Sequence, residues 1–230
     1  VQVRNNILMR MSKNLQVPAR EIGGATQQAG AALLKRDDKK VTYFLNQIQG
    51  LADYLTEVAR DMEDVNMIQQ GELKLEEKNF DVQELARDCD AFFRQCSKGK
   101  RISYMWVGNL NGVYYGDKQR IEQLLFNLIE NAIKYNYDSG WVRVSLNADH
   151  KFFYLKVSDS GVGIPEELQD SIFERFYRVD KARSRETGGN GLGLAITRNA
   201  ILLHRGSIKV HSIEQQGTTF AVRIPLMYSE

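Results

Sequence analysis

The chain has 230 residues, room for one large or two modest domains, and 43% of them are hydrophobic. Its 31 Lys and Arg against 29 Asp and Glu leave a formal charge of +2, so bulk charge gives no case for nucleic-acid binding. No run approaches the length of a membrane span, no signal peptide opens the chain, and the two cysteines, Cys89 and Cys96, have no metal-ligand cluster around them. A soluble, reducing, cytoplasmic protein fits these features, and a start inside a helical pattern without a cap reads as part of something longer.

From Met11, apolar and small residues recur at Leu15, Pro18, Ile22, Ala25, Ala29 and Ala32, in alternating steps of four and three. That is a heptad seam. The charged run KRDDKK separates it from a second seam at Phe44, Ile48, Leu51, Leu55, Val58, Met62 and Val65. Two such helices joined by a short polar loop predict an antiparallel hairpin. One hairpin leaves its seam half covered, so pairing of two chains into a four-helix bundle is expected, as is dimerisation for a plain coiled coil.

After residue 68 the pattern changes. Residues 69–79 read as a linker, and 80–230 as a second domain beside a hairpin spanning 1–68. FDVQELARDCDAFFRQCS has helical spacing, and alternating runs follow at RISYMWV, GVYYGD, WVRVSL, FFYLKVS, SIKVHS and TFAVRIPL. Helices are predicted over Lys118–Asn136 and Leu192–Leu203. The fold class is therefore α+β in two domains: a helical hairpin, then an α/β sandwich with helices on one face of a mixed sheet.

The chemistry concentrates in one stretch of that second domain. The strand FFYLKVS delivers Asp159 to its end, where a carboxylate can accept from an exocyclic amine such as that of adenine. Gly161 and Gly163 follow, and read as open backbone for the approach of a planar ring. The cluster Gly188, Gly189, Gly191 and Gly193 leads through Leu192 into a helix, placing backbone N–H groups where a phosphate chain can lie. Between the two glycine turns stand Arg175, Arg178, Lys181, Arg183 and Arg185, cations suited to triphosphate oxygens. This is neither a P-loop nor a dinucleotide fingerprint. Asn127, Asn131 and Lys134 recur on one helical face beside Tyr135. Amide oxygens there are acceptable ligands for a hard cation such as Mg²⁺. In isolation N-x-x-x-N would read as a solvated stripe, and a lone DxGxG as an ordinary strand exit.

Together LLFNLIENAIKYN, DSGVGIP, FERFYRVDKARSR, GGNGLGLAI and GTTFAVRIP resemble the sensor histidine kinases, within the wider ATPase group that includes gyrase, Hsp90 and MutL. The resemblance covers nearly the whole chain. It implies an ATP site with Mg²⁺ held beside Asn127 and Asn131, Lys134 on phosphate, a dimeric helical region and a response regulator as partner. It also implies membrane attachment only through an upstream segment not in this chain. Hydrolysing members of the wider group carry a glutamate at the position of Asn127, so rapid ATP hydrolysis is disfavoured here. Asp117, Arg120 and His204 read as structural.

One departure stands out. In the family the first helix carries a phosphoacceptor histidine, then an acidic residue, with a proline four positions on. The matching stretch is Ser12-Lys13-Asn14-Leu15-Gln16-Val17-Pro18, so Lys13 stands for the histidine and Asn14 for the acid. An exposed lysine with pKa near ~10.4 is neutral in roughly one molecule in two thousand at pH 7, and Asn14 cannot take a proton. Self-phosphorylation at the usual position is therefore expected to be absent. Two functions remain open: a kinase acting on another acceptor or a partner kinase, and an ATP-binding pseudokinase that signals through conformation.

Overall fold

The computed structural model describes residues 2–108, 112–177, 179 and 191–226, with side chains from residue 15 onward except 57 and 69. The chain forms two compact units, Val1–Glu72 and Leu73–Glu230.

The first unit is a hairpin of two 33-residue helices, α1 (Gln2–Leu34) and α2 (Asp38–Gln70). The turn between them is tighter than the charged run KRDDKK suggested. Arg36 adopts a left-handed φ of 56°, and the amides of Lys35 and Asp37 both donate to the carbonyl of Ala32. Asp37 then accepts from the amide of Lys40 and starts α2, leaving Asp38 to begin the helix rather than the loop. Gly71, at φ 68°, closes α2 with its amide on the carbonyl of Ile68, a left-handed helix stop. Along the seam Pro18, Ala25, Ala32 and Val58 are buried, whereas Ile22, Ala29, Phe44, Ile48, Leu51 and Leu55 are only partly covered. Leu15, Val17, Tyr43 and Leu45 are exposed.

In the second unit, β1 (Lys78–Asp81) precedes α3 (Val82–Cys96), β2 (Ser103–Gly108), β3 (Val113–Gly116) and α4 (Lys118–Lys134). The hairpin of β4 (Trp141–Ala148) and β5 (Phe152–Asp159) follows, then two short 3-10 helices, Glu166–Leu168 and Ser171–Phe173. Helix α5 (Gly193–Leu203) and the hairpin of β6 (Ser207–Ile213) and β7 (Gly217–Pro225) complete it. The main sheet has five strands in the order β2-β4-β5-β7-β6. Only β2 and β4 are parallel, α4 serving as the crossover between them; the other pairs are antiparallel. The GVYYGD run, predicted as a strand, pairs with β1 in a separate two-stranded ribbon instead of entering the main sheet.

Helices α3, α4 and α5 cover one face. The apolar stripe of α4 (Ile121, Leu124, Leu125, Leu128, Ile129) packs on the inward residues of the sheet, Val142, Val144, Leu146, Phe153, Leu155 and Val157. These inward residues alternate with outward ones along each strand, as period-two burial requires. Cys89 is fully buried in this core, and burial pushes its thiol well above the ordinary range. Asp117 caps α4 through the Arg120 amide and also accepts from the amide of Glu76, at 3.1 and 2.9 Å. Its own amide lies 3.4 Å from Nε2 of buried His204, whose Nδ1 faces the Ala200 carbonyl at 2.8 Å. The ring therefore carries its proton on Nδ1 and joins α4 to α5. No helix among the described residues is long and apolar enough to cross a membrane.

Candidate functional site

Strand β5 ends on Asp159, 8% exposed, at the edge of the core. The amides of Gly161 and Thr218 both donate to Oδ1, at 2.8 and 3.3 Å. Among the described residues Oδ2 accepts no hydrogen bond. Burial raises the carboxyl to about 6 against the pull of those two amides. A fixed, partly desolvated carboxylate with one oxygen left over is suited to accepting a bond from an N–H ligand.

The loop after Asp159 is pinned by the chain's own backbone. A Cβ on Gly161 would meet the Tyr135 carbonyl oxygen at 2.3 Å, and one on Gly163, whose φ is 69°, would meet that of Ile213 at 2.1 Å. The glycines are required because the loop presses against the end of α4 and the β6–β7 turn. Bonds from Val162 N to Tyr135 O (3.0 Å) and from Gln215 N to Val162 O (2.7 Å) hold both contacts.

Helix α4 supplies the facing wall. The side-chain amide nitrogen of Asn127 donates to the Gly193 carbonyl at 3.2 Å and lies 3.4 Å from Thr197 Oγ1, so the side chain is turned to α5. Asn131, one turn on, is half-buried and its side chain makes no hydrogen bond among the described residues. Lys134 follows, its ammonium 5.4 Å from the centre of the Tyr135 ring. The start of α5 makes the third side. Leu192 is fully buried, and among the described residues no side chain caps the helix, whose N-terminal end suits an anion. Gly191 precedes it, its carbonyl accepting from Phe176 N at 2.8 Å. Thus Asp159, Asn127, Gly191, Leu192 and Gly193 belong to elements joined by direct bonds, with Asn131, Lys134 and Tyr135 on the same helix as Asn127. Arg178, Lys181 and Gly189 lie outside the described residues, as do the side chains of Lys13 and Asn14; the backbone at 13 and 14 is within α1.

Four supporting residues were not singled out as site residues from the sequence. Buried Asn136 donates to the Trp141 carbonyl at 3.0 Å and accepts from Ser160 Oγ at 3.1 Å, tying the end of α4 to the end of β5. Ser212 accepts from the amide of Ile164 at 2.8 Å, and Gln169 donates to the carbonyls of Ile164 and Ser212. Lys100 caps the last carbonyls of α4, at 2.9 and 3.0 Å. The one available signal was that Asn136 closes the LLFNLIENAIKYN motif.

The family model for histidine kinase-, DNA gyrase B- and HSP90-like ATPases matches residues 116–227, the segment that carries every element of this site. The autoinducer 2 sensor kinase/phosphatase LuxQ of Vibrio parahaemolyticus is 31% identical across 98% of this chain and 27% of its own length. The sensor histidine kinase WalK of Bacillus subtilis is 45% identical over 111 residues, 47% of this chain and 18% of WalK. A solved catalytic domain of the histidine kinase ThkA is 31% identical over 66% of this chain and 98% of that domain, with a TM-score of 0.57. The chain belongs to the sensor histidine kinases. Its second unit is their ATP-binding domain and its first the helical region before it. The Acinetobacter baumannii histidine kinase AdeS has the same fold over 93% of this chain and 98% of AdeS, at TM-score 0.70 and 22% identity. ThkA in complex with the response regulator protein TrrA also matches in fold, over 98% of this chain and 63% of ThkA, at TM-score 0.66 and 23% identity. The chain spans about a quarter of the length of LuxQ and the similar curated relatives.

Proposed function

We propose that the chain is the core of a two-component sensor kinase that binds Mg·ATP and does not phosphorylate itself at the usual helix position. The observation that carries the reading is Asp159: a buried carboxylate with Oδ1 fixed by two amides and Oδ2 left for the amino group of adenine. The uncapped start of α5 and the residues Gly191, Leu192 and Gly193 suit the phosphate chain. Asn131 and Asn127, one turn apart on α4, are the amide side chains that would hold Mg²⁺, which would supply charge neutralisation on the phosphates. Lys134 offers a cation to the same oxygens and Tyr135 flanks it, while Arg178, Lys181 and Gly189 are assigned to the nucleotide on sequence alone.

The half-covered seam and the exposed Leu15, Val17 and Leu45 support a homodimer through the hairpin. A response regulator or a partner kinase follows from the family, and the altered Lys13–Asn14 surface bears on either. The location is the cytoplasmic part of a larger sensor, attached to a membrane only through a segment outside this chain.

The pair Lys13–Asn14 favours a second reading, an ATP-binding pseudokinase that signals by conformation. Incubation with γ-labelled ATP and Mg²⁺, beside a Lys13→His, Asn14→Glu variant, separates the two. Label on the restored variant alone is the expected result. Acid-labile, alkali-stable phosphate on α1 of the unmodified protein overturns the reading, and absence of nucleotide binding in a direct titration overturns the ATP assignment.

A further inference from the structure

Within the second unit, the face of the five-stranded sheet away from the helices has no covering element among the described residues. Outward positions alternate with buried ones along β4 and β5 and with partly buried ones along β6, and the outward side chains include exposed Met105, Val107, Trp141, Tyr154 and His211. The charge on this face is one-sided. The five strands contain four Lys and Arg residues, Arg143, Lys156, Lys209 and Arg223, and all four are exposed on it. Their one carboxylate, Asp159, is buried. Among the described residues none of the four cations pairs with a carboxylate.

The register gathers three of them around one small residue. Ala221 on β7 stands opposite Lys156 on β5 and opposite Lys209 on β6, and Arg223 follows two residues along β7 on the same face. Two arginines are also held in place by rings: Arg223 lies 4.6 Å from the Phe152 ring centre and Arg143 5.3 Å from that of Trp141. Stacking of this kind orients a guanidinium and leaves its N–H edge available.

We propose that this open sheet face is a docking surface for an acidic protein segment, gripped by Lys156, Lys209 and Arg223 around the flat floor at Ala221. Charge complementarity selects the occupant, because unpaired cations at the centre of a face are satisfied by a carboxylate-bearing partner. A second copy presenting the same face would set cations against cations. A membrane is the poorer fit, because exposed Met105, Val107 and Trp141 lie on one edge of a flat surface instead of forming a protruding tip. Five strands ~4.8 Å apart and seven residues at ~3.3 Å give a face of about 24 by 23 Å. Its flat area of roughly 550 Å² falls short of the ~800 Å² per partner of a standard stable interface, so the contact is weak and salt-sensitive.

The test is a titration of the isotope-labelled chain with a short poly-glutamate peptide, in saturating Mg·ADP so that a polyanion cannot report from the nucleotide site. Single-stranded DNA of equal charge and phosphatidylcholine–phosphatidylglycerol vesicles run in parallel. The peptide is expected to bind, with affinity falling as salt rises, and to shift the backbone signals of Lys156, Lys209, Ala221 and Arg223. The Lys156→Glu, Lys209→Glu, Arg223→Glu variant weakens it by about tenfold or more. A control with the same charge change on the exposed lysines 74, 78 and 98 keeps its affinity. The proposal is overturned if the peptide does not bind, if both triple variants bind alike, if the shifts fall elsewhere, or if DNA or vesicles bind the same residues more tightly than the peptide.

Discussion

The side-chain nitrogen of Asn127 donates to the carbonyl oxygen of Gly193 at 3.2 Å, joining the middle of α4 to the first residue of α5. Asn127 thus spends its side-chain donor on holding the start of α5. A carboxylate in its place would face that carbonyl with no proton to give. Asn127→Asp is therefore expected to cost about 1–3 kcal/mol of stability through the unmatched acceptor pair. It is also expected to yield no gain in ATP hydrolysis. Urea unfolding of the purified variant measures the first, and phosphate release the second; an unchanged midpoint would contradict the role given to this bond.

In the proposed ATP site, Asp159 would set stability against recognition of the nucleotide. Its carboxyl is raised to about 6 by burial, so the folded state holds the proton more tightly than the unfolded chain does. The group favours folding below its ordinary value near 3.8, and that advantage is lost as pH rises towards 6. Above that, the buried charge is a standing cost. Asp159→Asn keeps an oxygen for the Gly161 and Thr218 amides and removes the charge. At pH 7 the variant is expected to be more stable by on the order of 1–3 kcal/mol, while binding of adenine nucleotides falls by at least about tenfold. Thermal melts of both proteins at pH 7 and pH 5 check the sign, since the gap should narrow at the lower pH. In the unmodified protein, nucleotide affinity should itself decline as pH falls through 6.

Gly163 has no tolerance for a side chain. At φ 69° with the Ile213 carbonyl 2.1 Å from the place a Cβ would take, Gly163→Ala must move the β6–β7 turn or the loop itself. Backbone strain and the clash together are expected to cost about 2–4 kcal/mol. Gly193→Ala, whose Cβ would meet only Asn127 atoms at an ordinary 3.5 Å, should fold with nearly unchanged stability. Comparing the two melting temperatures tests whether glycine at each position serves the fold. If both variants melt alike, the loop is not pinned in this way.

Much of this arrangement was legible before any coordinates, and the reasons differ by element. The amphipathic spacing of α4 and the alternation of β4 and β5 are local signals, and the structure follows them to within two residues. The Asp159 and α5 turns were visible because their glycines cluster beside charged residues. The pairing of β3 with β1 was not, since a four-residue strand has no pattern that names its partner. Nor was the contact of Gly163 with Ile213, fifty residues apart, which packs the glycine loop against the β6–β7 turn. Asn136 shows the same limit: its role depends on Trp141 and Ser160 arriving beside it, and single polar residues at helix ends are common.

Lys118, the first residue of α4, offers a last test because it is where long-range charge and local packing meet. Its ammonium lies 2.9 Å from Asp88, 3.0 Å from Glu122 and 3.2 Å from Glu84, so one cation serves three carboxylates on two helices. Partial burial pulls its pKa down, but the hydrogen bonds it donates to Asp88, Glu122 and Glu84 outweigh that and raise it. Asp88 is held below the ordinary carboxylate range, chiefly by its bond to Lys118. A depressed carboxyl contributes stability above its ordinary pKa and loses it as pH falls through the folded value. Lys118→Met removes the cation and leaves three acids facing one another at the joint of α3 and α4. The expected loss at pH 7 is about 1–3 kcal/mol, more than one exposed ion pair supplies, because the acids left behind repel. Lowering the pH towards 4.5 should recover part of it by protonating Glu122, which burial already raises. Denaturant melts of the variant and the unmodified protein at the two pH values decide the matter: a deficit that stays constant with pH would mean that lost packing of the lysine stem, and not charge, accounts for the effect.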